Sequence, residues 1–158
     1  MLNQTIFSLI NSIAGKYGFI DAVFVFFSVY AIYILYITPF FFRKTKPIIS
    51  AGVAALAGYA VKLLINYIYP IARPTGTLLI ALPSSPSFPS GHSIVGFAIA
   101  TIVYKHNKKL GVFSLILAGL ISISRIFVGV HYPIDVLVGA LIGVLCGIAV
   151  NYLFKKKK

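Results

Sequence analysis

The sequence predicts an all-α integral membrane bundle of about five transmembrane helices, with an interfacial helix at the N-terminus. Three observations carry that prediction. Hydrophobic residues make up 59% of the 158 residues and charged residues only 10%, against about 25% charged in a soluble domain. Mean hydropathy is +0.99, so there are too few polar side chains to cover a core in water, and lipid is the solvent that fits. The basic residues come in blocks between long apolar runs: Arg43-Lys44-Thr45-Lys46, Lys105-His106-Asn107-Lys108-Lys109 and the lysines at 155–158.

That distribution also decides what the net charge of +12 means. A nucleic-acid-binding protein spreads Lys and Arg over a soluble face, whereas blocks at the ends of apolar runs are topology signals. No nucleic-acid partner is expected. Cys146 is the one cysteine; it lies in an apolar run and reads as a packing residue. The start of the chain lacks the charged region and cleavage site of a removable signal peptide.

Proline, glycine and charge cut the chain into its elements. Residues 1–18 mix Leu, Ile and Phe with Asn, Gln, Ser and Lys, which suits a helix lying in the membrane interface. Residues 21–42 form the first span, with Asp21 capping it or marking its end. Residues 48–69 form the second, closed by Pro70. A Pro- and Ser-rich loop follows over 70–89, within which 78–82 reads as a lipid-facing lid or an interfacial anchor. Residues 90–104, 110–128 and 133–154 form the third, fourth and fifth spans. Gly139, Gly143 and Gly147 recur at i+4 on the fifth, a spacing for close helix packing. The whole of 1–158 reads as one membrane-embedded unit, with 155–158 a cytoplasmic basic tail. Five spans put all three basic blocks on one face, which marks it as cytoplasmic. The loop over 70–89 and the segment around 125–131 then lie on the outer face of a cell membrane.

Three short segments on that outer face hold polar residues that an apolar chain otherwise avoids: Arg73-Pro74, Pro89-Ser90-Gly91-His92, and Ser124-Arg125 followed by His131 and Asp135. Ionisable groups at membrane depth are costly unless paired or used, so each is a functional candidate. Ser90 is placed to N-cap the third helix, Gly91 leaves room for another group, and His92 sits in the first turn. A helix N-terminus is an anion site before any side chain is added. Fifteen residues rise only about 22 Å, so this N-terminus is recessed to headgroup level in a core of roughly 30 Å. Asp135, early in the fifth helix, can reach the His131 ring, fix its tautomer and leave the other nitrogen free to attack. Arg73 and Arg125 are planar cations suited to phosphate oxygens. Two histidines, two arginines and a helix N-terminus suit phosphoryl transfer through a phosphohistidine. With Asp21 and Asp135 the only acids, no cluster able to hold a divalent metal ion is expected. His106 lies among lysines on the other face and reads as a solvated loop residue.

Arg73-Pro74, Pro89-Ser90-Gly91-His92 and Ser124-Arg125-x5-His131-x3-Asp135 resemble, in order and spacing, the three signature motifs of the type 2 phosphatidic acid phosphatase superfamily. The resemblance runs from about residue 17 to 154. It implies that His131 is the nucleophile, Asp135 its orienter and His92 the general acid. It also implies that Arg73, Ser90, Gly91 and Arg125 bind phosphate, with no metal or cofactor. One position departs: the family places a lysine seven residues before the arginine of Arg73-Pro74, and here that position is Asn66. Lys62 lies one helical turn earlier; either it snorkels to the site or Asn66 donates a hydrogen bond in its place. The small size, and the stretches Tyr30-Ala31-Ile32 and Ile65-Asn66-Tyr67, resemble the bacitracin-resistance type of undecaprenyl-pyrophosphate phosphatase. The expected partner is therefore a polyprenyl pyrophosphate or another lipid phosphate in the membrane. A phosphatase for phosphatidylglycerophosphate, phosphatidate or lipid A is the rival within the class. A lipid-phosphate binder or transporter without turnover is the rival outside it.

Overall fold

The computed structural model describes residues 2–156, and the terminal lysines 157 and 158 lie outside them. The described residues form α1 (Leu2–Asn11), α2 (Gly18–Val29), α3 (Ala31–Ile37) with a 3₁₀ turn (Thr38–Phe42), α4 (Thr45–Ile68), α5 (Gly91–His106), α6 (Lys108–Phe127) and α7 (Pro133–Lys156). Among the described residues four stretches are long and apolar enough to cross a membrane: Gly18–Phe42, Thr45–Ile68, Lys108–Phe127 and Pro133–Lys155. The chain is an all-helical, multi-pass membrane protein.

The expected third span is different in kind from the others. With 16 residues, α5 rises about 24 Å, less than the roughly 30 Å hydrocarbon core. It is the centre of the bundle: α3, α4, α6 and α7 all pack on it, and Ile94, Ala98, Ile102 and Val103 are fully buried. A helix shielded by protein does not have to match lipid thickness. The arrangement is thus four long apolar stretches around a shorter core helix.

The run over 21–42 was expected to be one helix and is broken at Tyr30, between α2 and α3. No proline or glycine stands there. Instead Arg125 donates from Nη1 to the Ser28 carbonyl at 3.0 Å and to Ser28 Oγ at 2.7 Å. A guanidinium entering the backbone ladder two residues before the break is the cause the structure offers.

Packing between α7 and α5 explains the glycine row. A Cβ on Gly139 would stand 2.7 Å from the Ser90 carbonyl oxygen, one on Gly143 would strike the Ile94 carbonyl oxygen, and one on Gly147 would stand 2.7 Å from Thr101 Cβ. All three neighbours lie in or just before α5, so the row serves close approach within the chain.

The basic segments over 43–46 and 105–109 share one end, where Phe42 meets His106. There Asn107 caps α6, its Oδ1 accepting from Leu110 N at 3.0 Å. His106 lies with its ring 5.7 Å from Phe42, remote from the other two histidines. The opposite end holds the 70–89 loop and the α6–α7 turn, and α1 ties them together. Asn11 is buried; its amide donates to the Thr77 and Phe127 carbonyls at 2.9 and 2.8 Å, and its Oδ1 accepts from Thr77 N at 2.8 Å. Gly129, at φ +87°, brings its backbone against the Thr77 carbonyl where a Cβ would clash. Leu79 and Ile80 pack on Ala14, Phe127, Val128 and Val130, while Leu78 and Leu82 stay exposed. The 78–82 segment is therefore anchored to the bundle. Asp21 stands in the first turn of α2 and accepts from Gly15 N at 3.1 Å, closing the turn that leads into the first span.

Candidate active site

The three polar segments, scattered over 63 residues of sequence, meet at one end of α5. The geometry starts from backbone. Ser90 has the extended conformation of an N-cap, and its N–H donates to the Asp135 carbonyl at 3.0 Å. That bond joins the start of α5 to the first turn of α7. The expected side-chain cap is not made: Ser90 Oγ is buried without a partner. The Nε of Arg125 and Oδ1 of Asp135 are likewise buried and unpartnered. Buried polar atoms are normally satisfied; of these three residues Arg125 lines a cavity, and its idle Nε is a donor left for a polar ligand there.

His131 lies in the turn between α6 and α7, almost fully buried. Its Nδ1 is 3.4 Å from Asp135 Oδ2, longer than an ordinary charge-assisted bond. The same carboxylate oxygen accepts from Tyr132 N at 2.9 Å and from the Ser87 hydroxyl in a short bond. Ser87 Oγ is also 3.5 Å from His131 Nδ1. The other ring nitrogen, Nε2, is 3.4 Å from Arg73 Nη1. Burial pushes the His131 imidazole down to about 4; Arg125 and Arg73 push the same way and Asp135 opposes them. The ring is thus neutral at neutral pH.

Arg73 is fixed from both sides. Its Nη1 donates to the Val130 carbonyl at 2.7 Å, Nε to the Ser85 carbonyl at 2.9 Å, and Nη2 to Ser85 Oγ at 3.3 Å and the Pro86 carbonyl at 3.4 Å. Burial lowers this guanidinium from its ordinary value, with Asp135 opposing.

Lys62 and Asn66 come as a pair. The Lys62 stem crosses Gly91, where an added Cβ would stand 3.2 Å from Lys62 Cδ and Cε. Its Nζ donates to Asn66 Oδ1 at 2.8 Å while Asn66 Nδ2 donates to the Phe88 carbonyl at 2.6 Å, the amide being oriented by these two partners. The glycine of the second segment thus makes room for the lysine stem of α4.

These groups form one end of a cavity of about 560 Å³. Lys62, Arg73, Gly91, His92, Arg125 and His131 line its polar end. Ile32, Tyr33 and Tyr36 of α3, Gly52, Ala55, Leu56 and Tyr59 of α4, and Val95 of α5 line the rest. Every residue that the sequence offered for phosphate binding or catalysis stands at or beside the polar end. Two were not foreseen: Ser87, which holds Asp135, and Ser28, which holds Arg125. The signal for Ser28 was a lone hydroxyl in an apolar run. Ser87 stood two residues before Pro89 in a serine-rich loop that hid it.

The chain has recognisable relatives. The profile of the PAP2 superfamily matches residues 20–158. The chain is 35% identical to the bacitracin transport permease protein BcrC of Bacillus licheniformis, over 98% of this chain and 82% of that protein. It is 32% identical to the undecaprenyl-diphosphatase BcrC of Bacillus subtilis (strain 168), over 92% and 81%. Among solved structures it superposes on Aquifex aeolicus LpxE with a TM-score of 0.83 and 33% identity, covering 96% of each chain. The chain belongs to the PAP2 superfamily of membrane lipid phosphatases.

Proposed function

We propose that this enzyme hydrolyses the pyrophosphate of a polyprenyl carrier lipid, undecaprenyl pyrophosphate, to the lipid monophosphate and inorganic phosphate. The observation that carries the reading is one continuous cavity. Its polar end holds His131 Nε2 beside Arg73 Nη1, and its apolar remainder runs down α3 and α4. From Lys62 to Gly52 the α4 wall descends ten residues, about 15 Å, a groove for the lipid chain.

In this mechanism His131 Nε2 attacks the terminal phosphorus and the bond to the bridging oxygen breaks. His92, in the first turn of α5, gives that oxygen its proton. Asp135 holds the Nδ1 side of the ring. Arg73, Arg125 and Lys62, with the Ser90 hydroxyl and the Gly91 backbone at the helix N-terminus, surround the phosphoryl oxygens. Among the described residues no group of three or more His, Cys, Asp or Glu lies together, so phosphate charge falls to these cations. The basic residues at the far end of the bundle support a cytoplasmic placement of that end and an outward-facing site.

A panel of undecaprenyl pyrophosphate, phosphatidylglycerophosphate, phosphatidate and lipid A in detergent, read by phosphate release, tests the substrate. Faster turnover of a two-chain lipid would replace the polyprenyl assignment. Stoichiometric binding with no release would favour a binder or transporter, the reading suggested by the permease name of one relative.

A further inference from the structure

A second cavity, of about 300 Å³, lies within the 70–86 loop. Arg73, Pro83 and Ser85 line both cavities. The Arg73 guanidinium is the wall between them: Nη1 faces Val130 and His131, while Nε and Nη2 face Ser85 and Pro86. The two products of a lipid pyrophosphate differ in where they can go. The lipid product leaves along the groove between α3 and α4. Inorganic phosphate cannot follow it, because an unpaired anion is strongly disfavoured on an apolar path.

We propose that the loop cavity binds inorganic phosphate and is the route by which it leaves and hydrolytic water enters, separate from the route of the lipid. This rests on the phosphatase reading above. The second half-reaction needs both movements. A water oxygen bonds to the phosphorus held on His131 Nε2, the N–P bond breaks, and the water's proton passes to His92, which had lost one to the leaving oxygen. Both histidines then return to their starting state, and the free phosphate stands against Arg73. Turning from Nη1 to the Nη2 edge, where phosphate oxygens take the place of Ser85 Oγ and the Pro86 carbonyl, carries it from the first cavity into the second on one guanidinium.

Ser84 is exposed, lines only the loop cavity and takes no part in the proposed chemistry. Ser84→Cys in a Cys146→Ser background therefore gives a single handle. It is labelled with a sulfonatoethyl thiosulfonate and, separately, with a trimethylammonioethyl one. The sulfonate label is expected to lower kcat by about fivefold or more with kcat/KM for the lipid pyrophosphate unchanged, since the blocked step follows the first transfer. Rapid quenching should then show a burst of lipid monophosphate near one per enzyme. The cationic label should lower kcat less. A sulfonate-labelled enzyme with unchanged kcat, or with kcat and kcat/KM falling together, overturns the route. If the unlabelled enzyme releases no phosphate from the lipid pyrophosphate, the functional reading itself fails and the route falls with it.

Discussion

Lys62 Nζ donates to Asn66 Oδ1 at 2.8 Å, and Asn66 passes the contact on to the Phe88 carbonyl at 2.6 Å. The pair stands at the position where the chain leaves its family's pattern. A lysine one turn too early is led up α4 by the amide that stands at the usual place. In the proposed mechanism Lys62 supplies the charge and Asn66 the aim. Lys62→Met is expected to lower kcat/KM by about 10- to 100-fold, the scale of one charge-assisted contact of roughly 1.5–3 kcal/mol. Asn66→Ala should cost less. Asn66→Asp, which keeps the lysine contact but sets a carboxylate near phosphate, should cost more than Asn66→Ala. Steady-state kinetics of the three on one substrate decide it; an inactive Asn66→Ala beside an unimpaired Lys62→Met would assign phosphate binding to the asparagine.

Gly143 is where α7 comes against the α5 backbone, since a Cβ there would strike the Ile94 carbonyl oxygen and stand 3.0 Å from Ala98 N. Gly143→Val must push two helices apart, and overpacking costs typically about 1–3 kcal/mol. The thermal midpoint in detergent should fall by several degrees (about 2–8 °C for domains of this size). Gly119→Ala, at a position with open space around its Cβ, should leave it unchanged. Equal behaviour of the two variants would mean that close α5–α7 packing contributes little.

The bundle was legible in the sequence because lipid leaves few options: apolar runs bounded by charge become helices, and basic blocks sort their ends. The segments of the candidate site were legible because His131, Asp135 and Arg125 are residues an apolar chain avoids. What stayed hidden depends on three-dimensional pairing. Nothing local told that the run over 90–104 is the core helix rather than a lipid-facing span; its burial is set by four neighbours. The break at Tyr30 has no proline or glycine to announce it, because its cause is Arg125, 97 positions from the Ser28 that it binds. Ser87 looked like any loop serine until the fold brought it to Asp135.

Ser28 is the counterpart of that break. Its hydroxyl and carbonyl both accept from Arg125 Nη1, which aims the guanidinium edge into the cavity from deep in the bundle. Ser28→Ala removes the shorter of the two bonds. The expected result is a fall in kcat/KM of about tenfold, from the loss of one hydrogen bond to a charged group. It should appear mainly in KM if Arg125 holds bound and reacting phosphate alike. Ser28→Thr, which keeps the hydroxyl, should restore most of the loss. If Ser28→Ala matches the parent enzyme in kcat/KM, the carbonyl alone suffices to hold Arg125.

Three donors compete for Asp135 Oδ2: the Ser87 hydroxyl, Tyr132 N–H and His131 Nδ1, the last at 3.4 Å. That competition governs the acid side of the pH profile. In the proposed mechanism the reacting form of His131 is neutral, and kcat/KM reports the protonation of the free enzyme. Burial holds the imidazole down at about 4, below its ordinary 6.5. The acid limb should therefore lie well below 6.5, and activity should persist at pH 5 to 6, where an unperturbed histidine is largely protonated. Ser87→Ala frees Oδ2 to pair more strongly with the imidazolium, which raises the histidine's affinity for a proton. The limb should then move up by about one pH unit, since a hydrogen bond to a charged group is worth roughly 1.4 kcal/mol or more and one unit is about 1.4 kcal/mol. Ser87→Thr should leave the limb where it is. The measurement is kcat/KM from pH 4 to 7.5 on one lipid pyrophosphate, with the folded fraction checked at each end. A lowered rate with an unmoved limb would make Ser87 a packing residue, and a limb that moves down would show that the hydroxyl supports the His131–Asp135 pair instead of competing with it.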